Sequence, residues 1–339
     1  MKLPLPLLVL GTCLTWSLAA TAADEVNLYS TRKEDLIKPL LDQFTAKSGV
    51  KVNLVTGKDD ALLERLKQEG RNSPADVFLT ADAGRLYRAK DAGLLQAIKS
   101  ETLTANIPAH LRDTESQWFG LSLRARPIMY AKDRVKPESL STYEGLADPK
   151  WKGKICVRSS DNIYNQSMLS AMIAHQGEAK TLEWAKGFVA NFARKPSGGD
   201  RDQIKNAADG QCDIAIANTY YLAGMAVSKD EADRAAAGKI GVFWPNQSER
   251  GVHINVSGAG VTAAAKNTAN AVKLLEFLVS NDAQAWYAEV NQEYPIRDGI
   301  AFSETLQQWG QFKPDTLNLS ELGRFNADAV KLMNTAGWQ

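Results

Sequence analysis

The chain has 339 residues, 44% of them apolar and 23% charged, with 40 Lys and Arg against 39 Asp and Glu. There is enough apolar material for a packed fold, and the balanced charge offers no field for a nucleic acid or bulk polyanion. Recognition therefore has to come from local chemistry.

Residues 1–23 have the form of a secretory leader. Lys2 supplies the positive end, residues 3–18 the apolar stretch and Ala20-Thr21-Ala22 a small-residue cleavage site. Cleavage is expected after Ala22 or Ala23. Cys13 raises lipid anchoring as an alternative, disfavoured by its place inside the apolar stretch. No later segment approaches the ~18 apolar residues of a membrane span. The expected product is soluble, exported, and about 316 residues long, enough for two domains. Loss of Lys2 leaves 39 basic against 39 acidic residues. Two cysteines remain, Cys156 and Cys212, and an even count in an exported chain reads as one disulfide, with two separate buried thiols as the alternative.

After the leader, strand and helix patterns alternate. Val26-Asn27-Leu28-Tyr29 reads as a strand, and Leu36, Ile37, Leu40, Leu41 and Phe44 as a helix face. Val50, Val52 and Leu54 alternate as a strand does. Leu62, Leu63 and Leu66 mark a helix ending at Gly70, and Asp76-Val77-Phe78-Leu79 a buried strand. Such alternation predicts a mainly parallel sheet covered on both faces. Residues 123–130 carry no helix signal and are the candidate crossing into a second domain. That domain takes strands at Ile155-Cys156-Val157 and Asp213-Ile214-Ala215-Ile216, with Gly241-Val242-Phe243-Trp244-Pro245 as the return strand. Residues 256–261 and the helix around Leu275 complete the first domain. The prediction is an α/β fold of two lobes, residues 24–124 with about 246–300 and about 125–245 with about 301–339. Such lobes leave a cleft at the ends of their strands.

Ala217-Asn218-Thr219-Tyr220-Tyr221 closes a strand-like stretch and opens a helix-like one. Side chains alternate along a strand, so adjacent tyrosines can converge only where it breaks. The plain alternative is one core and one surface tyrosine. Tyr164 follows the cap-forming run Ser159-Ser160-Asp161-Asn162 and falls on a helix's first turn. Three phenolates would neutralise Fe³⁺ and match its preference for hard oxygen donors. Each must lose a proton from a reference pKa near 10, which only a strongly polarising ion makes favourable. His110, His175 and His253 are too scattered for a zinc motif, and calcium-loop patterns are absent. Arg32, after the first strand, and Arg124, in the crossing segment, could hold carbonate or another small anion completing the coordination. Asp82 sits at another strand end, either facing the cleft or capping a helix. Nucleophile-elbow, zinc-protease and Walker motifs are missing, so no enzyme is expected.

Taken together, these segments resemble the periplasmic ferric-ion-binding proteins that serve bacterial ABC importers. The resemblance is carried by Leu28-Tyr29-Ser30-Thr31-Arg32, Asn72-Ser73-Pro74-Ala75-Asp76-Val77, Trp118-Phe119-Gly120-Leu121, Arg124-Ala125-Arg126 and Trp151-Lys152-Gly153-Lys154. Arg158-Ser159-Ser160, Tyr164-Asn165-Gln166-Ser167, Asn218-Thr219-Tyr220-Tyr221 and Asn255-Val256-Ser257-Gly258 add to it. It implies a two-lobe periplasmic binding protein fold with a hinged cleft, and Tyr164, Tyr220 and Tyr221 as iron ligands. It also implies an inner-membrane permease as partner, a monomeric chain and no nucleic acid. Some relatives carry His-Tyr directly after the Tyr-Ser-x-Arg segment, where this chain has Lys33-Glu34. That departure resembles the branch that uses three tyrosines and an exogenous anion, and leaves open whether Glu34 reaches the metal. The competing expectation keeps the fold and replaces iron with a small organic anion or polyamine.

Overall fold

The computed structural model describes residues 24–339, so the leader and Cys13 lie outside the described residues. Among the described residues nine strands run in chain order: β1 Glu25–Ser30, β2 Lys51–Thr56, β3 Val77–Ala81, β4 Phe119–Ala125, β5 Ile128–Ala131, β6 Ile155–Cys156, β7 Ile214–Ile216, β8 Ile240–Phe243 and β9 Ile254–Val261. They form two sheets, β2-β1-β3-β9-β4 and β6-β7-β5-β8. Helices α1 Lys38–Ser48, α2 Asp59–Glu69, α3 Ala83–Asp91 and α4 Glu101–Asn106 precede β4. Between β6 and β8 come α5 Ile163–Gln176, α6 Glu178–Ala190, α7 Asp200–Ala208, α8 Thr219–Ala226 and α9 Glu231–Gly238. After β9 follow α10 Thr268–Leu278, α11 Asn281–Asn291, α12 Glu304–Gln307, α13 Ser320–Arg324 and α14 Asn326–Ala336. The molecule is a two-lobe α/β fold.

Local chemistry explains the elements that frame the cleft. Leu40, Leu41 and Phe44 give α1 a buried face, and Gly49 ends it in the left-handed conformation (φ 74°) that glycine adopts without strain. All eight residues of β9 are buried at the heart of the larger sheet. A Cβ on Gly258 would come 2.5 Å from the Phe119 carbonyl oxygen, so only glycine lets β4 approach there. Gly323 plays the same part at the junction, where a Cβ would fall 2.2 Å from Tyr87 and push α13 off α3.

The sheets are mixed, which corrects the expectation of a mainly parallel one. Pairs β1–β2, β1–β3 and β6–β7 are parallel, whereas β3–β9, β4–β9, β5–β7 and β5–β8 are antiparallel. The reason is connectivity. The chain leaves the first lobe along β4 and must return from the cleft side, so β9 enters between β3 and β4 running against both. The return strand expected at residues 241–245 is instead β8 of the smaller sheet, paired with β5, and the return itself runs through residues 244–253.

Only Arg126 and Pro127 separate β4 from β5, so residues 123–130 do pass from one sheet to the other. The two crossings are bonded to each other. Arg126 N–H donates to the His253 carbonyl at 3.0 Å. The buried Tyr143 hydroxyl donates to the Arg126 carbonyl at 2.7 Å and accepts from His253 N–H at 3.2 Å. Cys156 and Cys212 are bridged, their Cα atoms 5.9 Å apart, which ties β6 to the chain entering β7.

Candidate metal centre

Tyr164 is the second residue of α5, behind Asn162 as N-cap. The loop before it is folded onto the helix start. Asn165 Nδ2 donates to the carbonyls of Arg158 (2.8 Å) and Ser159 (3.1 Å), and Gln166 Nε2 to that of Ser160 (2.8 Å). Tyr220 and Tyr221 are the second and third residues of α8, behind Asn218 as N-cap. Strand alternation thus gives way to helical geometry at the pair itself, and both rings turn to one side.

The Tyr220 hydroxyl donates to the Tyr164 hydroxyl at 3.3 Å. The rings of Tyr220 and Tyr221 lie 4.3 Å apart, tilted by 37°. Burial pushes the Tyr220 and Tyr221 phenols well above the usual range, and a charge on Tyr164 pushes both further. Nearby guanidiniums oppose this, Arg124 at Tyr220 and Arg158 at Tyr221. Tyr220 and Tyr221 are thus held in the phenol form and give up their protons only to a strong electrophile.

Arg124 is 1% exposed on β4, and its Nη1 donates to Ser257 Oγ at 2.9 Å. Its Nε and Nη2 are buried without hydrogen-bond partners. Its guanidinium carbon is 5.8 Å from the centre of the Tyr164 ring. Arg32 is also buried, with Nη2 donating to Glu293 Oε2 at 2.5 Å and Ser122 Oγ at 3.1 Å. Its Nε is a third buried donor without a partner. Burial lowers the Arg32 guanidinium, while Glu293 first, then Tyr287 and Tyr220, raise it, and its carbon lies 5.4 Å from the centre of the Tyr287 ring. Beside it an open cavity of about 700 Å³ runs past Thr31, Lys33, Lys58 and Arg85, and no tyrosine lines it.

Asp82 is a helix cap. One oxygen accepts from Gly84 N–H and Ser167 Oγ, each at 2.8 Å, and the other from Asn255 Nδ2 at 2.9 Å. Lys33 and Glu34 are exposed. Among the described residues no three His, Cys, Asp or Glu side chains form a metal-binding group. The phenols are the hard donors that do gather.

Several residues at this site were not singled out from sequence. Arg126 and Arg158 stand 6.0 and 5.8 Å from the Tyr164 ring centre, and both bind the buried Asp200 at 3.0 Å. Arg126 carried a readable signal, since it stands two residues after Arg124 in the segment expected to cross between the domains. Asp200 and Glu293 carried none.

The family profile described as "Bacterial extracellular solute-binding protein" matches residues 40–314. The chain is 52% identical over 315 residues to "Iron uptake protein A1" of Synechocystis sp., spanning 93% of this chain and 88% of that protein. It is 28% identical to the "Fe(3+)-binding periplasmic protein" of Serratia marcescens, spanning 98% and 97%. Among solved structures it is similar to a Trichodesmium protein, IdiA (FutA), in complex with iron and citrate ligands. That match has a TM-score of 0.91 at 54% identity and covers 93% of this chain and all of that one. The ferric binding protein of Campylobacter jejuni matches with a TM-score of 0.88 at 38% identity, over 93% and 100%. The chain belongs to the bacterial extracellular solute-binding protein family, within the branch that holds the iron-uptake and ferric-ion-binding proteins.

Proposed function

We propose that this protein is a periplasmic Fe³⁺ receptor that delivers the ion to an inner-membrane ABC permease, as a monomer and without catalytic turnover. The observation that carries the reading is the 3.3 Å approach of the Tyr164 and Tyr220 hydroxyls, brought from two separate helix starts, with Tyr221 against Tyr220. Three phenolates supply the charge and hardness that a trivalent ion needs. The names of the relatives, iron uptake in Synechocystis and Fe³⁺ binding in Serratia, support iron as the cargo.

Arg32 and Arg124 are the proposed holders of a small anion, carbonate or a carboxylate, that completes the coordination. Their three unpartnered buried nitrogens are the support. A buried donor left unsatisfied costs about 1–3 kcal/mol, which an anion accepting from both guanidiniums would recover. The Trichodesmium structure, with iron and citrate together, is consistent with an anion beside the metal. The lobes are assigned as residues 24–124 with about 246–300 and about 125–245 with about 301–339, with α13 lying across their junction. Closure of the lobes would bury the ion, and release would follow reopening with reprotonation of a phenolate.

The test is a ferric titration of the leaderless protein, with and without bicarbonate, followed by visible absorbance. A phenolate-to-iron charge-transfer band that saturates at one equivalent and strengthens with bicarbonate is expected. A colourless protein that binds a small organic solute without metal would overturn the reading.

A further inference from the structure

We infer that Arg126 is the positioning residue of the metal centre, the group that holds the tyrosine-bearing helices in the register their phenols require. The inference rests on the proposed tyrosine ligation.

Arg126 lies in the crossing between the sheets and is 1% exposed. Nη1 donates to Asn218 Oδ1 at 2.9 Å and to Asp200 Oδ1 at 3.0 Å. Nη2 donates to Asn165 Oδ1 at 2.6 Å and to the Ile216 carbonyl at 3.3 Å. Asn218 is the N-cap of α8, Asn165 lies in the first turn of α5, and Asp200 opens α7. One planar fork therefore fixes the starts of three helices, two of which present the tyrosines one to three residues away. Asp200 closes the network by accepting from Arg158 Nη1 with its other oxygen at 3.0 Å.

The geometry matters because neither tyrosine-bearing start is secured by its own cap. Neither Asn162 nor Asn218 makes a side-chain cap hydrogen bond. What locks the two helix starts together is the guanidinium. A lysine keeps the charge but is a single point donor on a flexible stem, and it cannot reach Asn165, Asn218 and Asp200 at once. Second-layer partners of metal ligands commonly change affinity by about 10–100-fold.

The test compares wild type, Arg126→Lys and Asn165→Ala for iron affinity, by competition with a chelator, and for the position of the ferric charge-transfer band. We expect Arg126→Lys to weaken iron by about tenfold or more and to shift the band, because the phenol–metal angles change. Asn165→Ala, which frees the α5 start from the guanidinium and from the Arg158 and Ser159 carbonyls but leaves α7 and α8 held, should shift the band with a smaller loss. A folded Arg126→Lys protein with band and affinity unchanged overturns the inference. Should that variant not fold, an unchanged band and affinity in Asn165→Ala overturns it instead. Tyr220→Phe is the control. Weakened iron there, with Arg126→Lys unaffected, sinks this inference alone, whereas wild-type binding by Tyr220→Phe sinks the ligand assignment beneath it.

Discussion

Asp82, just past the end of β3, accepts a hydrogen bond from Ser167 on α5 at 2.8 Å, across the proposed boundary between the lobes. Ser167 is one helical turn beyond Tyr164 on α5, so the residue that bridges the lobes rides on the same helix face as a proposed ligand. Ser167→Ala removes that bridge and leaves Asp82 its bonds from Gly84 and Asn255. A hydrogen bond to a charged group contributes about 1.5–3 kcal/mol, so the closed form should weaken and iron should dissociate about ten- to a hundredfold faster. The visible band should stay where it is, since no phenol moves. Stopped-flow transfer of iron to a chelator reads both quantities.

Iron uptake should release protons. Burial holds the Tyr220 and Tyr221 phenols above the ordinary range, so both are protonated at neutral pH in the empty protein. Each phenol that must ionise makes apparent affinity fall about tenfold per unit drop in pH. Loading in weak buffer should release about two to three protons per iron, a number that pH-stat titration measures directly. Release of less than one proton is incompatible with phenolate ligation.

His253 sits in the return crossing, where burial and then the nearby Arg126 and Arg124 push its imidazole down to about 3. Its folded value is thus below its unfolded one, near 6.5. The stability it contributes is fully present above pH 6.5 and is lost as pH falls toward 3, on the order of 4 kcal/mol over that window. Thermal melts between pH 7 and 4 should show a steeper loss for the wild type than for His253→Gln, which cannot acquire the charge. Parallel curves would remove His253 from the account.

The features legible in the sequence were those that depend on neighbours in the chain. The Tyr220-Tyr221 corner could be read because a strand-like run meets a helix start within a few residues. Tyr164 could be read because cap-forming residues precede it. The disulfide followed from cysteine count and export. Partners distant in sequence left no such mark. Arg32 meets Glu293 across 261 positions and Arg158 meets Asp200 across 42, and nothing local ties either acid to its arginine. The mixed sheet was missed for a related reason. The apolar run of β9 has the same composition in either direction, and its direction is set by how the chain returns between lobes.

The Cys156–Cys212 bridge closes a separation of 56 residues and binds the strand that leads to Tyr220. In the chain-entropy picture such a loop contributes about 4 kcal/mol. The paired Cys156→Ala and Cys212→Ala variant should unfold at correspondingly lower urea concentration. The charge-transfer band should persist in the folded fraction, because neither sulfur lies among the phenols. Loss of colour without loss of folding would show that the bridge positions the site as well as stabilising it.

The most direct test of phenolate ligation is iron affinity in Tyr164→Phe, Tyr220→Phe and Tyr221→Phe, measured by competition with a chelator at fixed pH and anion. Each substitution removes one hydroxyl and little else. The account predicts a weakening of about a hundredfold or more in every variant, with a fainter, shifted band. Wild-type affinity and an unaltered spectrum in all three would contradict it.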